Sequence, residues 1–283
     1  MTLLPDGVTV GHWHDAEART GCTVILLPDG TTASGEVRGG APAARETELL
    51  DPTRLVSHAD AFVLTGGSAF GLAVADGVMA WLVDHDRGYP TDGGRVPIVP
   101  TLALYDLAIG DGDRRPGPTE GRAACAAATA DPTGGAVGAG CGATVRKWLG
   151  PEARRDGGLG IASRGRDGVT VTAIAAVNAF GDIADRALRD LDEGAVPDER
   201  LFGPGNTTLV AVVTDAELDP LGCHAVARSA HDGMARALLP VHTAGDGDAS
   251  LVGATGTAGP IAVELVRLLA VLAVDDAIRS AVP

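Results

Sequence analysis

The sequence GNTTLVAVVT, residues 205–214, changes within two positions from turn-forming residues to an unbroken run of apolar and β-branched residues. Glycine and asparagine favour turns, whereas valine and threonine pack well on a pleated sheet. Residues 208–214 are therefore predicted to form a buried β-strand. Just before this strand, the chain is interrupted by Gly203, Pro204 and Gly205.

Around this strand, short apolar runs alternate with glycine-rich turns and helical patterns, which favours an α/β or layered α+β protein. Further buried strands are predicted at residues 22–27, 60–65 and 169–177, and helices from Ser68 to about Gly88 and at 122–130, 221–239 and 260–279. Residues 182–192 are predicted as helix or loop, and residues 243–250 as a loop. No break in composition divides the chain, so residues 1–283 are expected to form a single domain.

Composition narrows the possible partners. Twenty-two basic residues stand against 37 acidic ones, and the net charge of -15 would repel nucleic acid and anionic membrane surfaces. The four cysteines show no short paired spacing, so free and mostly buried thiols are expected. The amino terminus has no apolar signal core, and Glu264 and Arg267 interrupt the longest apolar stretch, 261–274. We therefore expect a cytoplasmic protein without a membrane span.

Three residues belong to types that the chain almost never uses. Lys147 is its only lysine, Asn178 and Asn206 are its only asparagines, and glutamine is absent. Chance is one explanation, since rare residues must fall somewhere. Function is the other: Lys147 follows a stretch with five glycines in nine residues, 134–142, and a lysine can lose its proton where an arginine cannot.

The junction between Asn206 and Thr207 suits self-cleavage. Attack of Thr207 Oγ on the Asn206 carbonyl, followed by hydrolysis, would leave Thr207 as a new amino terminus. Its α-amine would have a pKa of about 7.7–8.0 and could accept the hydroxyl proton, which makes an N-terminal threonine a nucleophile with its own base. The alternative is an ordinary transition from loop to strand.

Other residues could serve the same reaction. Asp246 and Asp248, two positions apart, would lie on one side of an extended segment and could hold an amine or a hydroxyl. The Asn178 amide could donate to an oxyanion, and Lys147 could tune a nearby ammonium or hydroxyl. Each also has a plainer interpretation as a turn, strand-end or surface residue.

Other candidate sites are weaker. Ser68 follows a strand and opens a helix like the nucleophile of a hydrolase elbow, but the second glycine is one position late. No recognised set of metal ligands matches His12-Trp13-His14-Asp15, or Cys223-His224 with His231. Asp111-Gly112-Asp113 repeats the spacing of Asp246 and Asp248, which leaves calcium binding as an alternative.

Taken together, these segments resemble the DmpA-type family (peptidase family S58) of self-processing N-terminal-nucleophile hydrolases. The family includes L-aminopeptidase/D-esterases, β-peptidyl aminopeptidases and 6-aminohexanoate-oligomer (nylon oligomer) hydrolases. The resemblance spans nearly the whole chain. It rests on GCTV (21–24), LTGGSAFGL (64–72), VPIVP (96–100), GCGATV (140–145) with Lys147, VNA (177–179) with Gly181-Asp182, GNTT (205–208) and HTAGDGD (242–248).

The resemblance implies a four-layer αββα sandwich, cut between Asn206 and Thr207 into an α part, residues 1–206, and a β part, residues 207–283. Thr207 would be the nucleophile, with Asn178 and Lys147 beside it. The paired acids would be Asp246 and Asp248, and Tyr105 would contact substrate. These functional positions are Thr207, Lys147, Asn178, Asp246, Asp248 and Tyr105, with cleavage at Asn206 and Thr207.

The two parts would stay together in a homotetramer or larger ring, and the reaction would need no metal or organic cofactor. The expected activity is hydrolysis of an amino-acid amide, a short peptide or an ω-amino-acid oligomer. Arg146 stands where glycine is frequent in the family, and Ala249-Ser250 replaces threonine and a bulkier apolar residue, so substrates do not transfer from any one relative. Two alternatives remain: an acyltransferase of the ornithine-acetyltransferase kind, and a non-enzymatic calcium-binding acidic protein.

Overall fold

Two five-stranded sheets, stacked face to face, form the centre of the computed structural model, which describes residues 3–196 and 205–283. The strands are β1 Thr9–Asp15, β2 Thr20–Leu26, β3 Thr32–Val37, β4 Ala43–Arg45, β5 Ala61–Thr65, β6 Tyr89–Thr91, β7 Gly94–Val96, β8 Thr101–Ala103, β9 Thr144–Val145, β10 Arg155–Asp156, β11 Gly158–Arg166, β12 Val169–Asn178, β13 Asp182–Ile183, β14 Thr207–Glu217, β15 Leu238–Leu239 and β16 Ala249–Pro260. The α-helices are α1 Val74–Asp84, α2 Pro118–Ala126, α3 Ala184–Asp192, α4 Pro220–Ala237 and α5 Val263–Ala281.

The first sheet has the strand order β1-β2-β5-β8-β4, and the second has the order β11-β12-β14-β16-β3. Most neighbours are antiparallel, but β5 pairs with β8 and β14 with β16 in parallel. The strand β14, which contains the predicted strand 208–214, therefore lies at the centre of the second sheet, between β12 and β16.

Three apolar clusters separate four layers. Between the sheets, side chains such as Ile25, Phe62 and Leu64 of the first sheet meet Ile174 and Leu209 of the second. Helices α4 and α5 cover the outer face of the second sheet, and α1 and α2 cover that of the first. The predicted four-layer αββα sandwich is confirmed.

Both faces of β14 are buried, which explains its unbroken apolar run. Leu209, Ala211 and Val213 point into the layer between the sheets, whereas Val210 and Val212 point toward α4 and α5. A strand covered on both sides gains from apolar residues at every position, so it loses the alternation of a half-exposed strand.

Several segments differ from the prediction. Residues 249–260, expected as the end of a loop and the approach to a helix, form the strand β16. Helix α2 begins four residues early, at Pro118, because a proline suits the first turn and the Glu120 carboxylate accepts the Gly117 N–H at 2.9 Å. The predicted helix from Ser68 starts as a 3-10 turn, Ser68–Ala73, in which Phe70 is 58% exposed and lies beneath the Arg115 guanidinium, 4.0 Å from the ring centroid.

The four cysteines are free and buried, as expected. Within the described residues, 3–196 and 205–283, none of the helices is both long enough and apolar enough to cross a membrane.

Candidate active site

The junction of Asn206 and Thr207 lies where β14 begins, beside the segment that leads into β16. Asn206 forms a parallel bridge with Asp246, and the regular parallel pairing of the two strands starts at Leu209 and Ala249. Both Asn206 and Thr207 are buried, at 6% and 4% exposure. The fold thus lays the proposed cleavage junction alongside the Asp246-Gly247-Asp248 segment.

Two donors converge on the carbonyl oxygen of Asn206. The Thr207 hydroxyl donates to it across the peptide bond, and the backbone N–H of Gly247 donates to it at 2.8 Å. The hydroxyl of Thr207 is therefore held at the carbonyl group that self-cleavage would attack. The Gly247 N–H is already bonded to the oxygen that would become negatively charged.

Asn178 ends β12 and lies fully buried opposite Thr207. Its Nδ2 donates to the Tyr105 carbonyl at 3.0 Å and to the Gly205 carbonyl at 3.4 Å. Its Oδ1 accepts the Thr144 N–H at 3.0 Å and the Lys147 ammonium at 2.8 Å. These contacts fix the amide in one orientation.

Lys147 contacts Asn178 and the junction rather than the Thr207 side chain. Its Nζ donates to Asn178 Oδ1 at 2.8 Å, to the Asn178 carbonyl at 2.9 Å and to the Gly205 carbonyl at 3.4 Å. The pKa of Lys147 is lowered to about 7, chiefly by burial; the negative charge of Asp246 opposes this shift, and the Arg154 guanidinium adds to it. A lysine in this setting exchanges its proton near neutral pH, which an arginine could not do.

The two acidic residues are held by different partners. Asp248 accepts the Thr208 N–H at 2.6 Å with one oxygen, and the N–H and ring Nδ1 of His242 at 2.9 and 2.8 Å with the other. Asp246 accepts the Thr243 N–H at 2.9 Å and its hydroxyl. Burial, reinforced by the nearby charge of Asp248, raises the pKa of Asp246. Asp248 thus binds the backbone N–H of Thr208, the residue after Thr207, rather than the Thr207 hydroxyl.

Two elements of this site were missed by sequence reasoning. Residues 38–41 wrap the acidic segment: the N–H groups of Arg38 and Gly39 donate to the Asp248 carbonyl, and that of Ala41 donates to the Asp246 carbonyl. A Cβ at Gly39 would lie 2.3 Å from the Asp246 carbonyl oxygen, so this approach requires glycine. His242 was part of a recognised motif, but nothing in that motif indicated that its ring binds Asp248.

A cavity of about 170 Å³ opens at the junction. It is lined by Tyr105, Ala108, Ile109, Thr144, Lys147, Gly150, Pro151, Arg154, Phe180, Gly205 and Asn206. Tyr105, the predicted substrate contact, is 39% exposed, and its backbone carbonyl holds Asn178. The structure thus brings together all six predicted functional positions, with Asn206 between them.

The glycine turn that contains Ser68 has a structural explanation. The Asp106 carboxylate accepts the Gly67 N–H and the Thr20 hydroxyl, both at 2.7 Å, and the Ser68 N–H donates to the Leu104 carbonyl at 2.9 Å. A Cβ at Gly66 would lie 2.0 Å from the Asp106 carboxylate. This turn therefore supports the segment that carries Tyr105.

The other candidate clusters are engaged elsewhere. His12 Nδ1 contacts the Thr23 hydroxyl at 3.0 Å, and His231 Nε2 the Glu36 carbonyl at 3.2 Å. In the second Asp-Gly-Asp loop, Asp111 accepts the N–H of Asp113 at 3.0 Å, as in an ordinary turn. Among residues 3–196 and 205–283, no three His, Cys, Asp or Glu side chains are grouped so that they could hold a metal ion.

The chain is similar in sequence to a known peptidase family and to amide hydrolases. The model of peptidase family S58 matches residues 6–282. An uncharacterized aminopeptidase of Mycobacterium leprae (strain TN) is 43% identical over 278 residues, which cover 88% of this chain and 77% of that protein. A 6-aminohexanoate-oligomer endohydrolase of Paenarthrobacter ureafaciens is 30% identical over 267 residues, 86% of this chain and 71% of that enzyme.

Two solved structures share the fold. A β-aminopeptidase of Burkholderia sp. superposes with a TM-score of 0.75 at 24% identity, over 98% of this chain and 84% of that one. The L-aminopeptidase D-Ala-esterase/amidase of Ochrobactrum anthropi, described as a variant of the Ntn hydrolase fold, gives 0.76 at 22% identity with the same coverage. At these identities the similarity concerns the fold.

Proposed function

The chain belongs to peptidase family S58 and is a hydrolase that acts on amide bonds, and we propose that it is an autoprocessed enzyme whose nucleophile is the N-terminal threonine Thr207. One observation carries the proposal. The Thr207 hydroxyl and the Gly247 N–H both bind the carbonyl oxygen of Asn206, so the attacking group and an oxyanion donor are already at the bond to be cut.

Self-cleavage begins when Thr207 Oγ forms a bond to the Asn206 carbonyl carbon. The bond from that carbon to the Thr207 nitrogen then breaks, the nitrogen takes up a proton, and an ester links the two parts. Water hydrolyses this ester to the Asn206 carboxylate and the free Thr207 hydroxyl. The Gly247 N–H supports the negative charge that develops on the oxygen in both steps.

Turnover then uses the amine that self-cleavage has released. The α-amine of Thr207 accepts the hydroxyl proton, Oγ attacks the substrate carbonyl, and Asn178 Nδ2 donates to the resulting oxyanion. The leaving amine takes a proton as the tetrahedral intermediate collapses to an ester on Thr207. Water hydrolyses that ester and regenerates the enzyme.

Processing would also free the two groups beside the nucleophile. Asn178 Nδ2 and Lys147 Nζ each have a hydrogen bond to the Gly205 carbonyl, just before the cleavage junction. If the new carboxyl end moves away, both donors become available to a substrate in the same cavity. Lys147, with a pKa near 7, and the acids Asp246 and Asp248 would then set the charge around the α-amine.

The proposed substrates are amino-acid amides, short peptides and ω-amino-acid oligomers, which fit the aminopeptidase and oligomer-hydrolase names of the relatives. We also propose that the two parts remain together in a homotetramer or larger ring, which light scattering of the processed protein would measure. No step in this mechanism uses a metal or cofactor.

Hydrolysis is separated from acyl transfer by one assay. Release of nitroaniline from amino-acid p-nitroanilides, and of free amino acids from dipeptides, is followed with and without an added amine acceptor. The hydrolase proposal expects free acid as the main product in both cases and no activity in Thr207→Ala. Acylated acceptor as the dominant product would instead favour the acyltransferase.

A further inference from the structure

We propose that Arg154 binds a carboxylate on the leaving side of the substrate, so that the enzyme prefers short peptides or ω-amino-acid oligomers with a free carboxyl end over neutral amino-acid amides. The proposal rests on the function proposed above and narrows its substrate class. It follows from the place of Arg154 in the cavity and from the charges around it.

Arg154 lies at the catalytic cavity itself. It follows the short 3-10 turn Pro151–Ala153 and precedes β10, and its side chain lines the same cavity as Lys147, Tyr105 and Asn206. Its positive charge is near enough to lower the pKa of Lys147. A group bound at Arg154 is therefore close to the residues proposed to carry the reaction.

The guanidinium of Arg154 has no carboxylate partner among the described residues. Two arginines nearby are paired: Arg19 with Asp156 at 2.5 Å and Arg146 with Asp190 at 2.9 Å. Arg154 forms no ion pair or side-chain hydrogen bond within residues 3–196 and 205–283, although the chain carries a net charge of -15. Arg155 is likewise unpaired within those residues, but it does not line the catalytic cavity, so Arg154 is the unpaired guanidinium that an anionic substrate bound there would meet.

A second cavity continues outward from the first. Its volume is about 570 Å³, and it shares Ile109, Thr144, Pro151 and Arg154 with the catalytic cavity. A substrate whose scissile carbonyl lies at Thr207 can therefore place its amine portion beside Arg154, where the catalytic cavity meets the outer one. In a peptide or an ω-amino-acid oligomer, that portion ends in a carboxylate.

The chemistry of arginine suits this ligand. The planar guanidinium offers paired N–H donors that match the two oxygens of a carboxylate, and charge-assisted hydrogen bonds are stronger than neutral ones. A neutral amide at the same place would accept one ordinary hydrogen bond. The difference should appear mainly in KM, because a contact to the end carboxylate of the substrate is the same before and during cleavage of the amide bond.

Arg154 could instead act only through its effect on Lys147. In that case its removal would raise the pKa of Lys147 and change the turnover of every substrate alike. Direct binding predicts a loss confined to substrates that carry the carboxylate, so the two roles have different signatures.

The test uses the processed enzyme and three substrates: alanyl-alanine, its C-terminal N-methylamide and alanine p-nitroanilide, with release of the amino-terminal alanine measured in each case. For the wild type, we expect kcat/KM up to about fivefold higher for the free acid than for the N-methylamide, through KM, as expected for one exposed charge-assisted contact. Arg154→Gln should bring this ratio close to one, and Arg154→Lys should retain part of it.

The matched control is Arg155→Gln, which removes the same charge from the next residue. Arg155 lines the outer cavity but not the catalytic one, so its variant should keep the wild-type ratio. Equal kcat/KM of the wild type for free acid and N-methylamide, or an equal loss for both in Arg154→Gln, would overturn the carboxylate site while nitroanilide hydrolysis leaves the proposed function standing. If the wild type hydrolyses none of the three substrates, the proposed function fails and the carboxylate site fails with it.

Discussion

Asn178 stands directly opposite Thr207 in the antiparallel pair formed by β12 and β14. Paired residues project their side chains from the same face of a sheet, so the register itself brings the amide to the side of the hydroxyl. The two residues are 29 positions apart in the sequence, but the sheet holds them as neighbours. In the mechanism proposed above, Gly247 is the oxyanion donor for self-cleavage and Asn178 is the donor for turnover.

Replacing Asn178 should separate these reactions. Asn178→Asp keeps an oxygen for Lys147 and the Thr144 N–H but removes the Nδ2 donor. We expect this variant to cleave itself and to lose about 10²- to 10³-fold in kcat, as when one oxyanion donor is removed. Intact mass and steady-state kinetics measure the two effects.

A second variant, Asn178→Ala, measures how far the Asn178 side chain stabilises the fold. It leaves the buried Thr144 N–H without its acceptor, which should cost about 1–3 kcal/mol in the free energy of unfolding. Unchanged kcat in the aspartate variant would show that Asn178 is not the oxyanion donor.

Lys147 should make the stability of the unprocessed chain depend on pH. Burial lowers its pKa from 10.5 to about 7. Below pH 7 the folded and unfolded states both hold the proton, so the full cost of burying the charge is present. Between about pH 7 and 10.5 the unfolded state binds more protons, so stability rises with pH.

The measurement compares Thr207→Ala with Thr207→Ala/Lys147→Met, because neither should cleave itself and position 147 titrates only in the first. The Tm of the first should rise relative to the second from pH 7 to 10, by roughly 2–4 °C for each kcal/mol regained. A Tm difference that stays constant over this range would contradict the buried, titrating lysine.

Gly247→Ala should slow self-cleavage. A Cβ there would lie 2.8 Å from Thr207 Oγ and 2.9 Å from the Ala41 carbonyl oxygen, so the segment must shift away from the junction. Misplacing the hydroxyl and the Gly247 N–H together should reduce the rate on the order of 10- to 100-fold.

The control is Gly93→Ala, where a Cβ would contact only the Thr91 side chain, at 3.8 Å. A time course of fragment formation after synthesis compares the two variants. Wild-type rates in Gly247→Ala would remove Gly247 from the mechanism.

The central strand β14 could be predicted from the sequence because a strand buried on both faces has an unbroken run of apolar residues. Val210, Val212 and Val213 belong to a residue type that favours strands. The strand β16 was not predicted, because residues such as Ala249, Gly253 and Ala254 belong to types that do not favour strands. Its parallel pairing with β14 is a long-range contact that neither segment encodes alone.

The residues that meet at the candidate site were predicted from the sequence, but the contacts between them were not. The scarcity of lysine and asparagine indicated Lys147 and Asn178, the two-residue spacing indicated Asp246 and Asp248, and the family resemblance implied their roles. That Lys147 binds Asn178 and the Gly205 carbonyl depends on how a 3-10 turn meets the end of β12, which local patterns do not specify. The role of His242 against Asp248 depends on the left-handed conformation of His242, φ 55°, which the sequence did not indicate.

The most direct test of the central claim is the intact mass of the purified protein, read together with denaturing electrophoresis. The wild type should give two fragments, residues 1–206 and 207–283, and Thr207→Ala should give one uncut chain without amidase activity. Thr207→Ser, which keeps a hydroxyl at the same position, should still give both fragments. A wild type that stays intact, or a Thr207→Ala variant that is still cut at Asn206, would contradict Thr207 as the self-processing nucleophile.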